Sequence, residues 1–156
     1  MKGNAKLIET LNEILTGELT AINQYFIHAK MCSNWGFQRL AKKNRDESIG
    51  EMKHADALIE RILFLDGVPN MQRLEKVLIG ETPLEQLKLD LKLEEVAIPR
   101  LNKAIAQAVD AADNTTRDLL EDILESEEDH VDWLESQLEL IRQVGEQNYL
   151  SQQIKD

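Results

Sequence analysis

The sequence has one cysteine, three prolines, seven glycines and only 4% aromatic residues. The single cysteine, Cys32, cannot form a disulfide within the chain, which is typical of a reducing compartment. The scarcity of proline and glycine argues against long disordered segments. No apolar run approaches the ~20 residues of a membrane span, and charges and amides interrupt the N-terminal stretch where a signal peptide needs an apolar core. We therefore expect a cytoplasmic protein without a membrane partner.

Positive charge is also scarce, because 29 acidic side chains outnumber 18 basic ones and give a net charge of −11. Such a chain repels phosphate backbones and anionic lipids, which argues against nucleic acid as a partner, whereas metal cations are suitable ligands. With 156 residues, of which 42% are hydrophobic, the chain can bury a sizeable core. We expect residues 1–156 to form one domain.

Apolar residues recur at helical spacing in four segments, and no segment shows the alternation of a strand. The segment Thr82-Pro83-Leu84-Glu85 is a capping box with proline at the first helical position, which marks a helix start. Gly145 is expected to end the fourth helix, and the tail from Glu146 to Asp156 has room for only a short extra helix. The four predicted helices cover about residues 4–34, 38–65, 83–110 and 115–144.

The connections between these helices predict their arrangement. Each helix would be ~40 Å long, and the segment 66–81 has about 16 residues, which at ~3.3 Å each can span that length. The other two connections are short turns, so they join antiparallel neighbours. An all-α fold with two hairpins and one long crossover is typical of a ferritin-like four-helix bundle.

Two of the three histidines follow a glutamate by three residues, as Glu51 with His54 and Glu127 with His130. Side chains three residues apart project from one helix face, as two ligands of one metal must. Glu18 precedes Glu51 by 33 residues and Glu94 precedes Glu127 by 33, so the whole pattern repeats after 76 residues. The midpoint of each pair falls at a predicted turn, which places all six side chains at one height in the bundle.

These six side chains would be costly to bury without a compensating positive charge. The alternative is a solvated charged face, but the glutamates fall within the apolar stripes that predict the core. Two iron ions would provide the charge, with carboxylates suited to Fe(III) and imidazoles to Fe(II). The spacing therefore predicts a diiron site.

Several motifs carry a likeness to a known family: MKG at the start, AINQYF at 21–26, EMKHAD at 51–56, ERILFLDGVPN at 60–70, and EEDHVDWLE with QNYL near the end. In this order and over essentially the whole chain, they resemble the bacterioferritins. The resemblance implies a ferroxidase that oxidises Fe(II) with O2 or H2O2 and stores Fe(III) as a mineral inside an octahedral shell of 24 subunits. It also implies two irons per subunit, bound by Glu18, Glu51, His54, Glu94, Glu127 and His130.

In the family pattern Glu51 and Glu127 bridge the two irons, while Glu18 with His54 and Glu94 with His130 hold one each. Tyr25, seven residues after Glu18, and Trp133, three after His130, lie where either could pass a further electron to the site. Packing in the core is the alternative for both aromatic residues. The resemblance favours a redox role for Tyr25.

Met52 is rotated about 100° from Glu51 and cannot share the iron-binding face. Spacing alone predicts an ordinary packing methionine on a face with Ile49, Asp56 and Ile59. The resemblance instead implies that Met52 is an axial ligand of haem b, one haem per two subunits at a two-fold interface. It further implies a small [2Fe-2S] bacterioferritin-associated ferredoxin as reductant, and it allows a second bacterioferritin subunit type in a mixed shell.

Some residues depart from the family pattern. Asp46 stands where histidine is frequent and Gly50 where aspartate is frequent, which puts a family-like inner-surface iron site in doubt. Pro99 lies inside the third helix, where we expect a kink that loosens Glu94. His28 has no acidic residue at ligand spacing and is expected to be structural. Two other functions stay open: a haem-free ferritin or other diiron carboxylate protein, and a structural subunit that binds no metal.

Overall fold

The computed structural model describes residues 1–156 and contains five helices and no strand. The all-α fold with a short C-terminal helix is therefore confirmed. None of the helices combines the length and the apolar character needed to cross a bilayer. The helices are α1 (Ala5–Asn34), α2 (Gln38–Phe64), α3 (Pro83–Asp110), α4 (Asn114–Val144) and α5 (Glu146–Ser151).

The helix boundaries agree closely with the sequence signals. Thr82 caps α3 by accepting the Glu85 N–H at 3.2 Å, and Pro83 occupies its first turn. Gly145 ends α4 with a φ of 87°, a left-handed conformation that glycine adopts without steric cost. The long connection between α2 and α3 has no regular secondary structure. We call this segment, residues 66–81, the crossover.

Two apolar clusters occupy different levels of the bundle. One contains residues from the start of α1, the end of α2, the end of α3 and the start of α4, among them Leu11 and Leu120. The other lies toward the opposite end and includes Leu40, Leu134 and Tyr149. The six predicted metal ligands come from the helix segments between these two clusters. The apolar layers thus hold the four helices together above and below the ionisable residues.

Polar side chains of α1 attach the crossover to the bundle. They lie at multiples of four residues and therefore form one ridge along the helix. The ridge accepts four backbone N–H groups: Asn70 to Asn12 at 2.8 Å, Glu75 to Thr20 at 2.9 Å, Leu78 to Gln24 at 3.1 Å and Gly80 to His28 at 3.0 Å. These bonds satisfy backbone donors that no regular element pairs, and they fix the path of the crossover along α1.

His28 is fully buried at the end of this ridge. Its Nε2 accepts the Gly80 N–H, so Nδ1 carries the proton and donates to Asp90 Oδ1 at 2.9 Å. Gln24 also donates to that oxygen, at 2.9 Å. His28 thus joins α1, the crossover and α3, which confirms the expectation that it is structural.

We expect His28→Ala to destabilise the metal-free protein by about 2–4 kcal/mol, because the Gly80 N–H and the Asp90 carboxylate would be left buried without their partner. Urea denaturation followed by circular dichroism measures the loss. Lys30→Ala, an exposed change on the same helix, is the matched control and should have little effect. Equal midpoints for the two variants would contradict this role of His28.

Candidate metal centre

The structure brings the six predicted ligands together in the middle of the bundle. Each helix of the bundle contributes at least one of them: Glu18 from α1, Glu51 and His54 from α2, Glu94 from α3, and Glu127 and His130 from α4. We call this set the carboxylate–histidine cluster. Its members are brought to one level by the two short turns, as the equal spacing in both hairpins predicted.

The first half of the cluster surrounds His54. The imidazole Nδ1 lies 3.4 Å from a Glu18 oxygen, 3.5 Å from Glu51 and 3.2 Å from Glu127. One ligand atom from each of these four residues lies within 4.8 Å of the others. Three carboxylates and one imidazole at such distances can bind a single divalent cation.

The second half of the cluster consists of Glu94, Glu127 and His130, whose ligand atoms also lie within 4.8 Å of one another. His130 Nδ1 is 3.2 Å from Glu94 Oε1. Glu127 belongs to both halves, which is the position a bridging ligand requires. Glu51, the other residue predicted to bridge, belongs only to the first half.

The burial and the hydrogen bonding of the polar atoms in the cluster indicate whether these residues suit a bound metal. Every member except His54 is at most 4% exposed. Five of their polar atoms are buried without a hydrogen-bond partner: Glu18 Oε2, His54 Nδ1, Glu94 Oε2, Glu127 Oε1 and His130 Nε2. Unpartnered buried polar atoms are rare and costly, and here they converge on one place. The donor set therefore fits bound cations.

Comparison with known proteins decides the family. A family profile described as the ferritin-like domain matches residues 8–144. The bacterioferritin of Mycobacterium leprae is 48% identical over 97% of this chain and 96% of its own length. That of Streptomyces coelicolor is 49% identical over 97% and 90%, and that of Rhodobacter capsulatus 45% over 96% and 92%.

This chain belongs to the bacterioferritin family. The resemblance carried by the sequence motifs is thereby confirmed. Together with the carboxylate–histidine cluster, membership of the family supports iron storage. The individual roles of the cluster residues belong to the proposal below.

Burial favours the protonated form of several carboxyl groups of the cluster when no metal is present. Burial raises the pKa of Glu94 to about 8 and that of Glu127 to about 7, and it also raises the pKa of Glu51. Burial alone would lower the pKa of His54, but the nearby carboxylates of Glu127 and Glu51 outweigh it and raise the pKa to about 10. Cations that bind here must therefore displace protons.

We expect the metal-free protein to lose thermal stability as the pH rises from about 5 to about 9. The folded pKa of Glu94, about 8, exceeds the ordinary 4.5, so its stabilising contribution is complete below 4.5 and disappears as the pH rises through 8. His54 acts in the same direction between 6.5 and about 10. Calorimetry in EDTA measures Tm across this range. Glu94→Gln should flatten the slope, whereas a Tm that rises with pH would contradict the raised pKa values.

Two aromatic side chains lie against the second half of the cluster. The Tyr25 hydroxyl donates to Glu94 Oε1, and its ring meets the edge of His130 at 5.0 Å between centroids. Complete burial, followed by the charge of Glu94, raises the pKa of Tyr25 well above its ordinary value, so the phenol stays protonated. Trp133 stacks on the His130 ring at 6.2 Å, and the Lys43 ammonium lies 5.0 Å from the Trp133 ring centroid. Both residues named from the sequence are thus placed beside the site.

Sequence reasoning missed Glu47. Its Oε2 lies 3.7 Å from His130 Nδ1, and its Oε1 pairs with Lys43 at 2.8 Å. The signal was available, because Glu47 precedes Glu51 by four residues and therefore faces the same side of α2. It extends the acidic surroundings of the second half of the cluster.

The residues that depart from the family pattern lie in different settings. Asp46 is exposed and pairs with Lys42 at 3.5 Å, outside the cluster. Gly50 has open space where a side chain would be, so no close contact requires glycine there. Helix α3 continues unbroken through Pro99, and Glu94 is held by Tyr25 and His130. An effect of Pro99 on the mobility of Glu94 stays a prediction.

Met52 lies outside the carboxylate–histidine cluster, as its rotation from Glu51 predicted. It is 56% exposed, so Met52 is not part of the core of the single chain. Phe26 of α1 and Ile49 of α2 are also exposed. All three are apolar side chains that the single chain leaves uncovered.

Proposed function

We propose that this bacterioferritin is a ferroxidase that stores iron in the cytoplasm. In this proposal it oxidises Fe(II) to Fe(III) with O2 or H2O2 at the carboxylate–histidine cluster and deposits the product as a mineral inside a 24-subunit octahedral shell. The whole chain, residues 1–156, forms one diiron domain. The observation that carries the proposal is the convergence of unpartnered buried donor atoms on one point between four helices.

The cluster residues have distinct roles in this proposal. Glu18 and His54 hold one iron, and Glu94 and His130 hold the other, while Glu127 and Glu51 bridge. Membership of both ligand groups supports the bridging role of Glu127. The four helices preorganise these ligands, since apolar layers on either side fix their height.

The electron balance of the reaction favours a paired site. Two Fe(II) ions each supply one electron, so a pair delivers two electrons together to O2 or H2O2. Fewer one-electron oxygen products are then released. The glutamates lose their protons when the cations bind, and their raised pKa values suit them to take up protons again as product leaves. Tyr25 can give one further electron, with its hydroxyl proton passing to Glu94 Oε1, to which it already donates.

Two alternative functions are less well supported. An oxygenase needs room for an organic substrate beside the irons, but the cavity next to the cluster has a volume of only about 30 Å³. That is enough for one or two water-sized molecules. A structural subunit that binds no metal would have no reason to bury four carboxylates and two imidazoles, whose desolvation costs stability.

The haem belongs to the proposal as well. One haem b per two subunits would be held at a two-fold interface by Met52 of each subunit, and it would give a bacterioferritin-associated ferredoxin a path for electrons. The exposed thioether of Met52 supports this, because it offers a soft ligand at the surface, and other apolar side chains of α1 and α2, such as Phe26 and Ile49, are exposed as well. The shell is a homo-oligomer in this proposal, and a second bacterioferritin subunit type could share it.

We expect Glu127→Gln combined with His130→Ala to slow Fe(II) oxidation at least ~10-fold, since the shared ligand and one imidazole are lost. Stopped-flow absorbance of Fe(III) formation under air measures the initial rate. Glu128→Gln changes the exposed neighbour of Glu127 and is the matched control. A double variant that oxidises Fe(II) at the control rate would sink the site assignment.

We expect purified protein to show haem bands in its visible spectrum after growth with ample iron, and Met52→Leu to remove or shift them, because leucine cannot ligate iron. Met71→Leu replaces an exposed methionine of the crossover and should leave the bands unaltered. Bands that survive Met52→Leu unchanged would refute the haem assignment while leaving the ferroxidase proposal intact.

A further inference from the structure

A small pocket connects the cluster to the surface between α1 and α3. Its outer residues include Val96, which is exposed, and Arg100 and Glu75, which are partly exposed. Its inner residues include Glu18 and Glu94, both almost fully buried. We call this cavity the α1–α3 pocket. It offers a route from the surface to the predicted metal ligands.

An ion pair lies at the outer end of this pocket. The guanidinium of Arg100, from α3, donates to Glu75 Oε1 of the crossover at 2.8 Å. The pair lies beside Gly17 of α1, where an added Cβ would stand only 2.8 Å from Arg100 Nη1 and 3.9 Å from Glu75 Oε1. The guanidinium therefore occupies the space that a side chain at position 17 would fill.

The crossover holds Glu75 in this place. The Glu75 N–H donates to Thr20 Oγ1 at 2.9 Å, and the hydroxyl of Thr20 in turn donates to the Thr16 carbonyl at 2.7 Å. The first hydrogen bond ties Glu75 to the turn of α1 that follows Gly17, and the second orients the Thr20 hydroxyl that accepts it. The ion pair thus joins three separate segments, α1, the crossover and α3, at the mouth of the pocket.

Size and charge together decide what can pass this mouth. The cavity of about 30 Å³ admits one or two water-sized molecules. A divalent cation with its shell of water is larger than this, and at the entrance the guanidinium fills the space beside Gly17 while its pairing with Glu75 leaves no free carboxylate there to attract the cation. Neutral O2 and H2O2 are small enough and are not repelled.

We propose that the Arg100–Glu75 pair, laid across Gly17, is a latch that admits small neutral oxidants through the α1–α3 pocket and excludes hydrated divalent cations. Iron then reaches the cluster by another route, and the oxidant does not compete with it for one entrance. This inference rests on the proposed function, because it assigns an oxidant path to the same cluster. Arg100 is a specificity-determining residue here and touches neither iron nor oxidant during the reaction.

The latch can be tested by the rate at which Co(II) binds to the metal-free protein, followed by stopped-flow absorbance. Arg100→Ala should accelerate binding at least ~5-fold, because it opens the mouth and leaves the Glu75 carboxylate facing the cation. Gly17→Ala should also accelerate it, since the new methyl group displaces the guanidinium. Because alanine is a better helix former than glycine, this second variant is expected to fold and checks that a result with Arg100→Ala is not caused by unfolding. Arg142→Ala, which breaks an exposed ion pair on α4, is the matched control.

The variant Glu75→Gln distinguishes an effect of the Arg100 guanidinium from a general loosening of the crossover. It breaks the ion pair but keeps the guanidinium, so Co(II) binding should stay at the unmodified rate or become slower. Equal acceleration in all three variants would indicate a loosened crossover and overturn the latch. Unchanged rates in Arg100→Ala and Gly17→Ala would overturn it too, while leaving the cluster intact. Failure of the unmodified protein to bind Co(II) would instead contradict the proposed function, and the inference with it.

The oxidant path has its own test. Ala97 of α3 lines the pocket, and Ala97→Leu adds bulk to a cavity that has little spare volume. We expect slower oxidation of preloaded Fe(II) by O2, with the affinity and binding rate of Co(II) unchanged. Ala106→Leu, on the same helix outside the pocket, is the control. Unchanged oxidation by Ala97→Leu would show that the oxidant arrives elsewhere and would overturn this part of the proposal.

Discussion

The burial of four carboxylates and two imidazoles at one level of a helical bundle is the constraint on which the rest of this structure depends. Apolar layers on both sides hold the helices at the separation that keeps these groups out of water. Without a metal, the cost of burial is reduced by protons, as the raised pKa values of Glu94 and Glu127 indicate. With metal bound, cations replace those protons. Folding, proton uptake and metal binding are therefore linked at one site.

The crossover adds a second constraint, because a parallel arrangement of α2 and α3 requires a chain segment that runs the length of the bundle. Backbone donors in such a segment need acceptors, and one polar ridge of α1 supplies them. His28 completes this attachment by joining Gly80 to Asp90. The same attachment places Glu75 at the mouth of the α1–α3 pocket. In the latch that we propose, a feature required by the topology would also control access to the cluster.

Much of this architecture follows from the sequence, because helical period, turn chemistry and ligand spacing are local properties of the chain. The Glu-x-x-His repeat and its equal distances to Glu18 and Glu94 predict that these six residues lie together. Contacts between distant segments were not accessible in this way. The pairing of Arg100 with Glu75 depends on the path of an irregular segment, and the exposure of Met52 depends on which helix face the bundle leaves uncovered. Glu47 could have been found from its spacing to Glu51.

The central claim is that the cluster binds two metal ions with Glu127 shared between them. Anomalous X-ray diffraction from crystals soaked anaerobically with Fe(II) tests it most directly. The account predicts two iron peaks in each subunit, one among Glu18, Glu51, His54 and Glu127 and the other among Glu94, Glu127 and His130. Iron peaks that lie only outside the bundle, or a single peak that Glu127 does not contact, would contradict it.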